Sequence, residues 1–208
     1  MPPKAKFTKE EIVGAALEIV REKGPEAVTT REIAAKLQVS TRPIFTYFHT
    51  MEEVWAEIRL AAEARYEQYL EKGLQERIPF QGVGMQYLRF AREEPALYRL
   101  LFFDGGTQNG AIDEMHRTQA LVRGSLKKTY HLDDAAADRY FRDMWLVVHS
   151  LATLIVTNSC PYSEAACAKI LTGFSASLCK ALKEIPGFAA DAFDRDAVFR
   201  ALIPEETA

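Results

Sequence analysis

Between Ser40 and His49 the chain places one guanidinium, four hydroxyls and one imidazole within ten residues. Arg42 has the donor geometry to bridge O6 and N7 of a guanine. Ser40, Thr41 and Thr46 are short enough to reach base edges or thymine methyls. Thr30, Arg31, Tyr47 and His49 flank them with groups that suit phosphate oxygens, contacts that position without reading sequence. Pro43 fits the first turn of a helix, where a missing N–H costs little.

The elements around this run are those that would hold it outward. Thr29-x-x-Glu32 is a capping box, and Ile33, Ala34 and Leu37 then follow at helical spacing. Gln38 and Val39 break that helix. Ser40 or Thr41 caps the next, in which Ile44 and Phe48 point inward and Phe45 flanks them. Thr50-x-x-Glu53 opens a further helix. Two short helices across a tight turn form a helix-turn-helix, whose second helix enters the major groove N-terminus first.

Residues Ile12 to Val54 resemble the DNA-binding domain of the TetR family of bacterial transcriptional regulators. The resemblance rests on Ile12, Ala16, Leu17, Gly24, Thr29, Ile33, Ala34, Leu37, Val39, Ser40, Ile44, Phe45 and Phe48. Three positions depart from the family pattern: Phe45 replaces a customary Tyr, Tyr47 a frequent His, and Met51 a customary Lys. The resemblance implies that Tyr47 supplies the hydroxyl that Phe45 lacks. It also implies fewer phosphate contacts, and so a weaker salt-dependent grip. In the body, Tyr87 to Leu100 resembles a ligand-domain motif of the family. Trp145-x-x-x-His149-Ser150 is similar to the Trp-His-Gly motif of one subgroup, with Ser150 in place of Gly.

Charge is distributed to match. Residues 1–50 carry eight Lys/Arg and six Asp/Glu, and the remainder 18 against 23, for a net −3. A mildly basic head on an acidic body suits a localised nucleic-acid surface and argues against binding by the whole chain. Lys6 and Lys9, at the start of the first helix, could reach phosphates, whereas Lys4 reads as part of a solvated tail. The expected fold is all-α with about nine helices. Residues 1–50 form the helix-turn-helix domain and residues 51–208 an effector-binding and dimerisation domain. The expected body helices run about Glu52–Lys72, Ala96–Phe103, Asn109–Tyr130, Asp133–Thr157 and Ser163–Lys183, with Asp104 to Thr107 as a loop.

The helix over Asp133–Thr157 is apolar nearly all round from Trp145 to Val156, which calls for burial on two sides. A homodimer supplies the second side, and in the TetR family the last two long helices form an intersubunit four-helix bundle. The expected interface is Trp145, Val148, Ala152, Ile155, Ile170, Phe174 and Leu178. Two-fold symmetry would place paired heads on a palindromic operator in double-stranded DNA. Aromatic walls with polar tips suit a small-molecule effector pocket, with candidates Tyr66, Tyr87, Phe90, Phe103, His116, Trp145 and His149.

Nothing points to catalysis, a cofactor or a metal. No phosphate-binding glycine loop or nucleophile elbow occurs. The four His do not pair at i, i+4, no Cys-x-x-Cys occurs, and Asp133-Asp134 reads as a helix cap. No apolar window approaches a membrane span, and three unspaced cysteines suit a reducing cytoplasm. The leading reading is a repressor released from its operator by a small molecule. Two alternatives stand beside it: a regulator sensing thiol chemistry at Cys160, and a helical binding protein that no longer reads DNA.

Overall fold

A computed structural model describes residues 7–103 and 110–203. Lys4, Lys6, the Asp104 to Thr107 segment and Asn109 lie outside the described residues. Every regular element described is helical: α1 (Lys9–Lys23), α2 (Thr30–Lys36), α3 (Arg42–Tyr47), α4 (Met51–Leu74), α5 (Pro79–Glu93), α6 (Pro95–Phe102), α7 (Gly110–Tyr130), α8 (Asp134–Val156), α9 (Glu164–Glu184) and α10 (Arg195–Leu202). The sequence expectation missed α10 and two short 3-10 turns, Pro25–Ala27 and Phe188–Ala190.

Helix starts follow the capping residues. Thr8 and Glu11 close a full capping box at α1. At α2 and α4 only half of the expected box forms. Thr29 Oγ1 and Thr50 Oγ1 accept from the third helical N–H, but Glu32 pairs with Lys23 and Glu53 accepts from the His49 N–H. α2 is closed by Gln38, which lies two residues past its last helical residue and has a left-handed φ of 56°. Gln38 N–H donates to Ala35 O at 3.1 Å and Val39 N–H to Ala34 O at 2.9 Å, a closed Schellman turn. That turn presses Val39 against the core. Thr41 stands before α3 without a side-chain cap bond.

One core runs from head to body. Ile12, Ile19, Ile33 and Ile44 fill the head, and Val54, Ile58 and Ala62 of α4 continue it into Leu88, Tyr98 and Tyr140. α4 crosses α5 with backbone touching backbone. A Cβ on Gly73 would lie 2.6 Å from both Gly82 C and Val83 Cα, so glycine is required at the crossing. α8 packs between α5, α7 and α9, and α9 covers only one side of it.

Candidate functional site

The head presents α3 as a single exposed turn and a half. Arg31, Ser40, Arg42, Thr46 and His49 are exposed, and Thr30, Thr41, Pro43 and Tyr47 half-buried. Six Lys/Arg fall within residues 7–50. Four of them are held in ion pairs: Lys9 with Glu57, Arg21 with Glu94, Lys23 with Glu32, and Lys36 with Glu18 and Glu22. Lys9 is therefore not the free phosphate ligand its position suggested. Arg31 and Arg42 make no ion pair with another described residue, and both stand on the helix-turn-helix.

Two further expectations about this face change. Tyr47 Oη donates to Phe7 O at 2.9 Å, so its hydroxyl proton is spent tying the N-terminal segment to α3 rather than offered to a phosphate. Phe45 does not flank the core; it is 51% exposed, because Ile44 and Phe48 already fill the inward side of so short a helix. Sequence reasoning left Phe45 out of the reading face. Its signal was an aromatic one position after the inward Ile44, where a helix turns about 100°.

The head is pinned to the body at Glu94, which is 2% exposed at its side chain. Arg21 of α1 grips the carboxylate with Nε at 2.6 Å and Nη2 at 3.0 Å. Arg65 of α4 adds a third bond at 3.2 Å.

The aromatic candidates in the body form a packed cluster rather than a pocket. Tyr66, Tyr87 and Phe90 are fully buried, with Tyr66 edge-on to Tyr87 at 5.6 Å and tilted on Phe90 at 5.3 Å. Trp145 stacks on His149 at 4.5 Å, the planes 10° apart. Tyr87 Oη and Tyr98 Oη both lie within hydrogen-bond reach of His149 Nδ1, at 2.9 and 3.0 Å. Burial pushes the imidazole down to about 4, so it is neutral and Nδ1 is suited to accept. Phe103 is exposed at the rim of the cluster, edge-on to Tyr98 at 5.7 Å, and His116 is exposed. Below it, Tyr66 Oη meets Thr118 Oγ1 at 3.0 Å. The buried Glu114 is pushed up to about 7 by desolvation, which outweighs Arg117 at 2.8 Å.

An apolar cavity of about 270 Å³ opens elsewhere, between α5, the end of α7, α8 and α9. None of the seven expected ligand residues lines it.

The residues expected at a dimer face are placed differently from one another. Trp145, Val148 and Ala152 are buried inside the protomer, because their spacing puts them on the side of α8 that packs on α5 and α7. The apolar groups left uncovered are Leu146 on α8, 53% exposed, and Phe174 on α9, 55% exposed. Ile155, Ile170 and Leu178 are half covered. Contrary to the sequence expectation, α9 is long and apolar enough to cross a membrane by length and composition, its Ala, Gly and Ser residues keeping charge sparse. Little of its apolar stretch is buried.

Among the described residues no group of three His, Cys, Asp or Glu is placed to hold a metal. Cys167 is buried, which pushes its thiol up, and Cys160 is half-buried with its thiol toward Tyr162 O.

A helix-turn-helix carried by a long helix into an all-α body is the architecture of a one-component DNA-binding regulator. A family model described as bacterial regulatory proteins, tetR family, matches residues 12–58. A second, described as tetracyclin repressor-like, C-terminal domain, matches residues 80–172. The chain belongs to the TetR family of transcriptional regulators, DNA-binding proteins rather than enzymes.

Solved structures share the fold at low identity. A transcriptional regulator from Rhodococcus sp. Rha1 is 15% identical with a TM-score of 0.67, over 84% of this chain and 97% of that one. A TetR-like transcriptional regulator from Rhodococcus sp. RHA1 is 14% identical with a TM-score of 0.57, over 84% and 95%. The multidrug binding protein EbrR, solved with ethidium, is 16% identical with a TM-score of 0.56, over 79% and 96%. No curated protein matches the chain.

Proposed function

We propose that the protein is a dimeric repressor that reads a palindromic operator and is released from it by a small-molecule effector. Residues 1–50 are its DNA-reading part and residues 51–208 its effector and dimerisation part. The observation that carries the reading is the confinement of free cationic charge: Arg31 and Arg42 remain unpaired among the described residues of the head, one on each helix of the motif. Arg42 reads a base edge, with Ser40, Thr41, Pro43 and Thr46 beside it. Arg31, Thr30 and His49 hold phosphates. Phe45, exposed next to Thr46, adds an apolar contact for a thymine methyl or sugar. Tyr47 acts indirectly, holding Phe7 and the chain ahead of α1 against α3.

The uncovered apolar sides of α8 and α9 support the dimer, with Leu146, Phe174, Ile155, Ile170 and Leu178 at the interface. A fold shared with EbrR, which was solved with ethidium, is in keeping with an effector in the body.

The test is a gel-shift titration with the DNA upstream of the protein's own gene. The parent retards this DNA at low salt. Arg42→Ala weakens specific binding by about 1–3 kcal/mol while leaving helicity and oligomeric state unchanged. A folded parent that fails to retard the DNA, or an Arg42→Ala protein that binds as the parent does, would defeat the reading.

A further inference from the structure

The cavity between α5, α8 and α9 has a lining of one chemical kind. Its walls are the side chains of Ile78, Phe80, Met144, Val148 and Leu171. Its polar groups are the amide of Gln81, the hydroxyls of Tyr130, Thr172 and Ser175, and the thiol of Cys179. None of the lining residues is Asp, Glu, Lys, Arg or His. Burial pushes the Cys179 thiol up, so it too is uncharged. Ser175 is held by Tyr140 Oη at 2.6 Å and Thr172 by Gln81 Nε2 at 3.1 Å, so the polar groups are already positioned. An ion entering such a space would lose hydration and find no counter-charge.

Two of the lining residues, Gly84 and Ala176, are small, and Gly84 lets α5 come close to Leu171 and Val148 at the inner wall. A Cβ on Gly84 would lie 3.3 Å from Leu171 Cδ1 and 3.5 Å from Val148 Cγ2. On α9, Ala176 and Thr172 are both exposed and form the mouth. Phe174 lies two residues from each, about 200° around the helix, so the mouth faces away from the uncovered apolar side. A second copy seated on Phe174 would leave the cavity open.

We propose that this cavity binds a small, uncharged, largely apolar molecule carrying one or two hydroxyl or carbonyl groups. At protein-like packing it holds roughly 200 Å³ of ligand, the size of two or three fused rings. The proposal rests on the effector-release reading only for the consequence of binding. That consequence follows from the glycines. A ligand filling the cavity beside the close approach at Gly84 bears on α5. Gly82 and Val83, two and one residues earlier, abut Gly73 of α4 backbone to backbone, so α4 moves with α5. α4 begins at Met51, directly after α3.

The test uses the full chain and two probes with one ring system, 2-naphthol and 2-naphthalenesulfonate, titrated calorimetrically. The neutral probe binds, and the anion binds at least about tenfold more weakly. Ala176→Phe and Thr172→Tyr, both at the exposed mouth, weaken naphthol binding by about tenfold or more while helicity and melting temperature hold. His116→Ala, away from the cavity, leaves it unchanged. Absence of naphthol binding by the folded parent, tighter binding of the sulfonate, or parental affinity in both mouth variants would overturn the proposal. Gel-shift runs on the same samples separate the two readings. If naphthol binds yet DNA stays bound, effector release fails and the site stands. If DNA binds and naphthol does not, the site fails and DNA reading stands.

Discussion

Replacing Glu94 by Gln should loosen the head from the body without unfolding either. The carboxylate is 2% exposed and receives three charged hydrogen bonds, two from Arg21 and one from Arg65. Gln keeps the volume and can accept from only one side. Stranding a buried charge typically costs about 3–5 kcal/mol. Here the released groups are the arginines, 45% and 39% exposed, which regain water. The loss therefore reduces to the charged hydrogen bonds, about 1.5–3 kcal/mol. For a chain of this length that lowers the melting temperature by about 3–12 °C. Circular dichroism melts of the parent, Glu94→Gln, Arg21→Gln and the double variant would measure it. The two single losses should be clearly non-additive, since they break the same bonds. A Glu94→Gln melt within about 1 °C of the parent, or strict additivity with Arg21→Gln, would refute a binding role for this pair.

Two other outcomes follow from the body. Phe174→Glu puts a charge on the most exposed large apolar side chain of α9 and should convert a dimeric parent to a monomer of unchanged helicity, read by sedimentation velocity; a parent that is itself monomeric at micromolar concentration would contradict the interface. Stability against pH should show two opposed contributions. Glu114 is raised from 4.5 to about 7, so its contribution is full below about pH 4.5 and is lost as pH rises to about 7. His149 is lowered from 6.5 to about 4, so its contribution is full above about pH 6.5 and is lost as pH falls to about 4. Glu114→Gln removes the first, and urea midpoints should then climb with pH from about 4 to about 6.5; a flat or falling profile would count against the His149 assignment.

The parts of the molecule set by local chemistry could be read from the chain alone. Thr8, Thr29 and Thr50 start their helices as capping rules require, and the Ile33, Ala34, Ile44 and Phe48 spacing placed the helix-turn-helix. Long-range partners could not. Lys9 looked free because its counter-charge, Glu57, is far along the chain. The effector candidates were chosen as aromatic-rich, but large rings fill their own space, and Tyr66, Tyr87, Phe90 and Trp145 consume the volume a ligand would need. The void lies among Phe80, Met144, Leu171 and Ala176, drawn from three separate helices, and no spacing in the sequence marks that meeting. For α8 the all-round apolar pattern asked for two coverings, and within the chain Leu146 stays 53% exposed. Which side the protomer covers depends on where α5 and α7 lie, and the pattern does not contain that.

α4 runs unbroken for 24 residues, about 36 Å at the helical rise. Under the proposed effector release, its close contact with α5 at Gly73 would serve as a pivot near one end. A tilt of about 5° there sweeps Met51 through about 3 Å, close to one base-pair step of B-DNA. In a two-fold dimer the opposite head sweeps the mirror-sense distance, and the separation changes by up to about 6 Å. Half-sites one turn apart, about 34 Å, leave no room for such an error. If an effector releases the protein as proposed, the length of α4 would set the gain of that switch: a shorter α4 would need a larger tilt to lose the same operator.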